Sequence, residues 1–400
     1  MKRFLKLILI LLVIFIGIML GSIILNKTYH TKFKSLDNTD QNMLKELSTI
    51  YKSFEESSDK LWNEDYRFEK MPLVLIRSNK DGGFFRQEAY AVNVTGLENS
   101  IFAKEIKVSN SLHLPKVYRL TRFDFRTIST WIPWNFGTIK MNDMDVFYLK
   151  YYPKMFSNPD LYFDFSSFLL HEAFHAYKQK DWTFDANGGE FIHEYPINKE
   201  NYALMGLEFK LLDKAMIDTN PESINKVLYD WTIVRNYRVK KWPQLIGETK
   251  TEAIEGSARY LEYRYSKLTG GNLMVLAKKQ KPYHVTFMEA FNFIANGQAE
   301  SPKFLERNMK YETGSALELS MDKANIPWKE AIEDSAIKQG KTPYEVLNMY
   351  FNINNTTTIE NEIKEIKEIK EIKEIKEIKE NNDYETLLEK GEKLVKISNK

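Results

Sequence analysis

The pattern His171-Glu172-Ala173-Phe174-His175 is the one place in this sequence where residue types and spacing together could do chemistry. Two histidines four residues apart lie on one face of an α-helix, one turn apart. Both imidazoles can then reach a single zinc ion at about 2.0–2.1 Å. Glu172 sits about 100° round the helix from His171, at the edge of that face. From there it can take the proton of a zinc-bound water as the water attacks a carbonyl, zinc having lowered the pKa of that water to about 7. The chain has six histidines in 400 residues, so chance alone would yield only about 0.01 copies of the pattern. Its surroundings also suit a helix with one buried face, since Phe165, Phe168, Leu169, Ala173 and Ala176 recur at helical spacing.

A catalytic zinc usually takes three protein ligands and keeps one open position. There is no cysteine, so the third ligand must be His, Asp or Glu. A histidine at the metzincin spacing would stand at position 181, which is Asp181, and Lys178 occupies the place of that pattern's glycine. A glutamate on a later helix remains, and the segment Glu252–Glu262 holds the best candidates.

Within that segment, Glu255-Gly256-x-Ala258-x-Tyr260 resembles the Glu-Gly-x-Ala-x-Tyr stretch of the gluzincin metallopeptidases, the branch that includes the aminopeptidases and their smaller relatives. In that family the glutamate of Glu-Gly is the third zinc ligand. The resemblance therefore implies Glu255 as ligand, one Zn2+ per chain, and a thermolysin-like core. Gly256 and Ala258 are small enough to let this helix pack closely on the histidine helix. Glu252, one turn earlier, could orient a zinc-bound histidine and is the alternative ligand. The resemblance covers only 171–175 and 252–262. It departs from better-known members in the long stretch between His175 and Glu255, which predicts two helices over 199–217 and 221–240. The Gly-x-Met-Glu-Asn signature of the aminopeptidases is absent, as is the thermolysin-type Asn-Glu-x-x-Ser-Asp, so nothing in the sequence favours exopeptidase specificity.

A group that stabilises the developing oxyanion should face the metal. Tyr260, Tyr237, Arg238, His193 and His284 are candidates. His193 and His284 read more readily as structural or surface histidines. Tyr260 lies five residues beyond Glu255, pointing elsewhere on the helix, and reads as packing. Arg235 and Arg238 could meet a substrate carboxylate but read as solvated charge.

The elements that must position these residues follow from patterning. Residues 39–66 predict an amphipathic helix, with Leu44, Leu47, Tyr51, Phe54, Leu61 and Trp62 at helical spacing. Strands are predicted within 71–150: MPLVLIR and EAYAVNV about an Asp81-Gly82-Gly83 turn, then AKEIKVS, KVYRLTRF and DVFYLKYY. From residue 164 onward the pattern is helical. Asn220-Pro221 opens one helix and Gly270-Gly271 stops another. Strands first and helices after is an α+β arrangement. No Pro/Ser/Gly-rich linker divides 27–350, which reads as one zincin-like domain, strand-rich over 71–150 and helical over 160–350. Residues 351–400 form a tail with six Ile-Lys-Glu repeats over 363–380. A period of three advances about 300° per repeat on a helix, so the isoleucines spiral and make no seam. That predicts a solvated, partly helical spacer, followed by a short C-terminal helix.

Residues 7–25 carry no charge and follow a basic start, MKRFLK. Nineteen helical residues span roughly 28 Å, close to a bilayer core of about 30 Å. The run is longer than the apolar region of a cleaved signal and lacks a small-residue exit, so 1–26 reads as a membrane anchor with the body extracytoplasmic. The net charge of +2, from 57 basic and 55 acidic residues, gives no nucleic-acid footprint. The expected protein is thus a membrane-anchored zinc metallopeptidase acting on a peptide or protein substrate. The alternatives are a non-catalytic envelope protein with a structural or degenerate metal site, and a zinc hydrolase of a non-peptide amide.

Overall fold

The structure is a computed structural model that describes residues 2–78, 88–160, 162–184, 192–271, 273–274, 285–335, 337–353 and 372–399. It is a mixed α+β chain that divides into two compact units, Met1–Lys178 and Gln179–Lys400.

The first unit opens with helix α1 (Lys2–Thr28). This helix is long and apolar enough to cross a membrane, and only 6% of its most apolar window is buried. Helix α2 (Asn38–Leu61) follows, started by Asp37, whose carboxylate accepts from the Thr39 amide. A six-stranded sheet comes next: β1 (Leu73–Arg77), β2 (Glu88–Val92), β3 (Ala103–Ile106), β4 (Val117–Leu120), β5 (Phe136–Met141) and β6 (Met144–Tyr151). The strand order is β3-β4-β2-β1-β6-β5. Among the strand pairs of the described residues, only β1–β6 is parallel. β1 and β2 form as expected and pair antiparallel, although the Asp81-Gly82-Gly83 turn lies outside the described residues.

The sequence reading misses β5. Its signal is Asn142-Asp143, where both residues adopt positive φ (47° and 64°) and so form the two-residue turn that suits a tight hairpin. Met141 pairs with Met144 across it.

Alternation along the strands gives the sheet two buried faces. One carries Val74, Ile76, Ala89, Ala91, Leu120 and Val146. On the other, Leu73, Leu75, Phe147 and Leu149 are fully or almost fully buried. The α2 carboxylate Asp40 accepts hydrogen bonds there from the hydroxyls of Tyr90 (2.8 Å) and Tyr151 (2.6 Å). Helix α3 (Phe165–Ala173) is capped by Asp164, which accepts from the Ser167 amide at 3.0 Å. Its Ser166 hydroxyl donates to Glu46 of α2 at 3.0 Å.

Burial pushes the Glu46 carboxyl up to about 7, against the Ser166 hydrogen bond and aided by the neighbouring Asp164 charge. A carboxyl raised in the folded state binds its proton more tightly there than in the unfolded chain. Its contribution is therefore most favourable below about pH 4.5 and declines as pH rises to about 7. Glu46→Gln is expected to flatten that decline. Melting temperature measured from pH 4.5 to 7.5 in parent and variant checks this, and an equally steep decline in the variant would locate the dependence elsewhere.

The second unit is helical, with α4 (Lys199–Ile217), α5 (Pro221–Lys241), α6 (Ile246–Leu268), α7 (Phe287–Ala295), α8 (Met309–Lys323), α9 (Pro343–Tyr350) and α10 (Tyr384–Ser398), besides single turns. Asn220 caps α5 as expected, accepting from the amides of Glu222 and Ser223. Gly270, with φ of +72°, closes α6. Helices α6 and α8 are in backbone contact: a Cβ on Gly256 would meet the Cα of Gly314 at 2.6 Å. The smallness of Gly256 thus serves the approach of α8, a partner the sequence reading did not identify.

The part of the repeat over 363–371 lies outside the described residues; the rest is helical as expected but is not fully solvated. Residues 372–381 are helical, and Ile375 and Ile378 are buried while Ile372 is exposed. Adjacent isoleucines of the repeat lie only about 60° apart on a helix, so two can share a face even though six cannot. Lys210 and Lys214 of α4 donate to the carbonyl (2.7 Å) and side chain (2.6 Å) of Asn382. Gly391 of α10 lies against the Lys199 backbone, where a Cβ would sit 3.1 Å from the Lys199 carbonyl carbon. This glycine permits close docking of the C-terminal helix on α4.

Candidate metal centre

The histidine pattern sits where the regular helix gives way. α3 is α-helical through Ala173, and Phe174–Lys178 continues as a π-helical turn. Wider turns of this kind recur at functional sites. Aromatic packing fixes it. The Phe174 ring packs against Trp62 and Tyr66, with centroids 4.8 and 5.5 Å away. The Tyr177 hydroxyl accepts from the Phe147 amide at 3.0 Å and donates to the Pro72 carbonyl. The sequence reading expected an uninterrupted α-helix here. His171 and His175 still fall side by side, with ring centroids 4.8 Å apart and planes at 80°. His171 is buried, while Glu172 and His175 are partly exposed.

Glu255 lies on α6 and is partly exposed. The carbonyl of Ile254, the residue before it, accepts from the Gln179 side chain at 2.9 Å. His171, His175 and Glu255 each offer one ligand atom, and these atoms lie within 4.8 Å of one another. Two imidazoles and a carboxylate are a donor set that suits zinc.

Glu252 has another task. It is fully buried. Arg235 donates to both of its oxygens at 3.0 Å, and the Thr313 hydroxyl donates to one at 2.7 Å. Its oxygens are thus engaged by Arg235 and Thr313, and Glu255, one turn on, is the glutamate that joins the two histidines. Arg235 and Arg238, expected as solvated charge or substrate contacts, are also fully buried. Arg235 grips Glu208 at 2.9 Å through two nitrogens. Arg238 grips Glu248 at 2.7 and 2.9 Å and Asn201 at 2.7 Å. Lys310 adds a third cation, 3.1 Å from Glu248. Three cations and three carboxylates therefore make a closed set among α4, α5, α6 and α8. Burial opposes the charge on Glu248, but Arg238, Lys310 and Arg235 overcome it and hold its carboxyl well below the usual range. Charged residues at helical spacing on buried-looking faces, Arg235 with Arg238 and Glu248 with Glu252, were the available signal for this cluster.

The other candidates are occupied elsewhere or open to solvent. The Tyr260 hydroxyl donates to Asp322 at 2.6 Å, and its ring meets Trp328 edge-on, which agrees with a packing role. Tyr237 reaches Glu200 at 3.5 Å and carries Lys379 over its ring. The His193 side chain is 93% exposed, with Glu194 3.8 Å away. His284 lies outside the described residues. Compared with protein families, with curated proteins and with solved structures, the chain finds no match in any of the three.

Proposed function

We propose that this protein is a zinc-dependent metallopeptidase of the gluzincin type, anchored in a membrane by α1 with its body on the extracytoplasmic side. The observation that carries this reading is the gathering of His171, His175 and Glu255 ligand atoms within 4.8 Å, with Glu172 next to the first of them in the sequence. The His-Glu-x-x-His pattern, with a Glu-Gly pair on a later helix, is what supports a thermolysin-like core.

In this reading His171 and His175 bind through neutral imidazole nitrogens and Glu255 through a carboxylate oxygen. Zinc held there supplies Lewis-acid polarisation of the scissile carbonyl and acidification of water. The Glu172 carboxylate, partly exposed, accepts the proton of the attacking water and returns it to the leaving amine nitrogen, acting as base and then acid. The Phe174 and Tyr177 contacts hold the turn that fixes the imidazoles. Support for the membrane location is the length, apolarity and exposure of α1.

The test is the metal content of the purified full chain beside Glu255→Ala. About one zinc per chain in the parent, as a three-ligand centre requires, and loss or weakening in the variant is the expected result. Zinc retained at full occupancy in Glu255→Ala would remove Glu255 from the centre, and a parent that takes up no zinc on reconstitution would end the peptidase reading. Digestion of a broad peptide library by the zinc-loaded parent then separates a peptidase from a hydrolase of other amides.

A further inference from the structure

We infer that the segment from Phe125 to Phe136, part of the sheet-bearing unit, is a second membrane contact, seated in the lipid beside α1. The inference rests on the reading of α1 as a membrane-spanning helix. The segment begins as a 3-10 helix, Phe125–Trp131, and its polarity is inverted relative to a water-facing loop. Phe125, Ile128, Ile132, Trp134 and Phe136 are 40–66% exposed. Most of its polar groups instead turn inward, Ser129 being exposed. Asp124, Thr127 and Thr130 are buried. The Asp124 carboxylate accepts from the Arg126 amide at 3.0 Å and from its guanidinium at 3.0 and 2.7 Å. The hydroxyls of Thr127 and Thr130 donate to the carbonyls of Asp124 and Thr127 at 3.0 and 2.7 Å. Internal satisfaction of polar groups is what a hydrocarbon environment demands, since no water is available there to replace them. Trp134 beside apolar side chains suits the boundary between acyl chains and headgroups.

The position of the segment names its partner. Phe15 of α1 lines a cavity of about 120 Å³ together with Phe123, Phe125, Ile128 and Trp131, with Arg122 and Asp124 also on its wall. Phe15 stands ten residues before the end of the apolar run, or about 15 Å along the helix. That is half the thickness of a bilayer core of about 30 Å. Whenever α1 spans, side chains beside Phe15 are therefore at lipid depth. The C-terminal end of α1 is clamped to the same unit, so it is more than a tether. Asn26 is buried and exchanges hydrogen bonds with Arg119 of β4, and Lys27 donates to the Ala103 carbonyl at 2.9 Å. A loop with an apolar exterior, continuous with a spanning helix and rigidly joined to it, fits a lipid surface better than a protein partner.

The natural absence of cysteine makes the test direct. Ile128→Cys, Leu9→Cys in α1 and Ile217→Cys in the helical unit are each labelled with an environment-sensitive fluorophore in the full chain. Each is reconstituted into phosphatidylcholine vesicles with or without a quencher on the acyl chains. Loss of emission at Ile128→Cys as deep as at Leu9→Cys, with Ile217→Cys unaffected, is the expected result. Quenching at Leu9→Cys alone would overturn the inference and leave the anchor standing, and a blue-shifted but unquenched label at Ile128→Cys would assign the patch to a protein contact instead. Quenching at neither would remove the anchor and the inference together.

Discussion

Glu172→Gln is expected to give a folded, zinc-loaded protein that hydrolyses peptides about 10²–10⁴-fold more slowly than the parent, the usual range for a lost general acid–base group. Glutamine keeps the shape and hydrogen-bonding reach of glutamate but cannot carry the proton from water to the leaving amine. Glu172 is partly exposed, and its amide isostere leaves α3, its Asp164 cap and the π-turn intact. Zinc content and melting temperature should therefore match the parent. Turnover of a cleaved peptide by parent and variant at equal zinc occupancy is the measurement. Hydrolysis at the parental rate in the variant would remove Glu172 from the chemistry. Loss of zinc along with activity would show that the change had disturbed the ligands and would leave the base unassigned.

Glu252→Ala should act on stability, and by a large amount. Glu252 is fully buried and takes two hydrogen bonds from Arg235 and one from Thr313. Removing it leaves Arg235 facing Glu208 with part of its guanidinium unpaired, and turns a cluster of three cations and three carboxylates into one with excess positive charge. Breaking a buried pair from one side costs about 3–5 kcal/mol. For a unit of this size that corresponds to a fall in melting temperature of roughly 6–20 °C. The contrast with Glu255→Ala is informative because the two glutamates are one helical turn apart. Glu255 is partly exposed, so its removal should leave the metal-free protein close to parental stability while weakening zinc uptake. Thermal unfolding of both variants after chelation separates the roles. If the metal-free Glu252→Ala protein melts with the parent, the ion cluster is not what fixes α6.

Much of this arrangement was legible in the sequence, for local reasons. The His-Glu-x-x-His spacing places two imidazoles on one side of any helical turn, whether the turn is α or π, and the rings do lie 4.8 Å apart. The apolar run at 7–25, the Asn220-Pro221 start of α5 and the Gly270 stop of α6 are likewise set by residues within a few positions of each other. The choice between Glu252 and Glu255 was left to a family resemblance. Both are glutamates on the same helix, and their difference depends on what meets each from α5 and α8.

What the sequence alone determined is therefore the short-range arrangement: the paired histidines, the glutamate beside them, the apolar helix and the helix ends. Tertiary structure decided the rest. It turned Arg235 and Arg238 from presumed solvated charges into buried partners of Glu208, Glu248 and Glu252. It also packed Ile375 and Ile378 of a repeat that has no seam of its own. A charge on a helix looks the same in sequence whether water or an opposite charge faces it, because the facing group is supplied by a segment far away in the chain. Burial of a charge is stable only when that distant partner arrives with matching geometry, and no spacing along one helix encodes it.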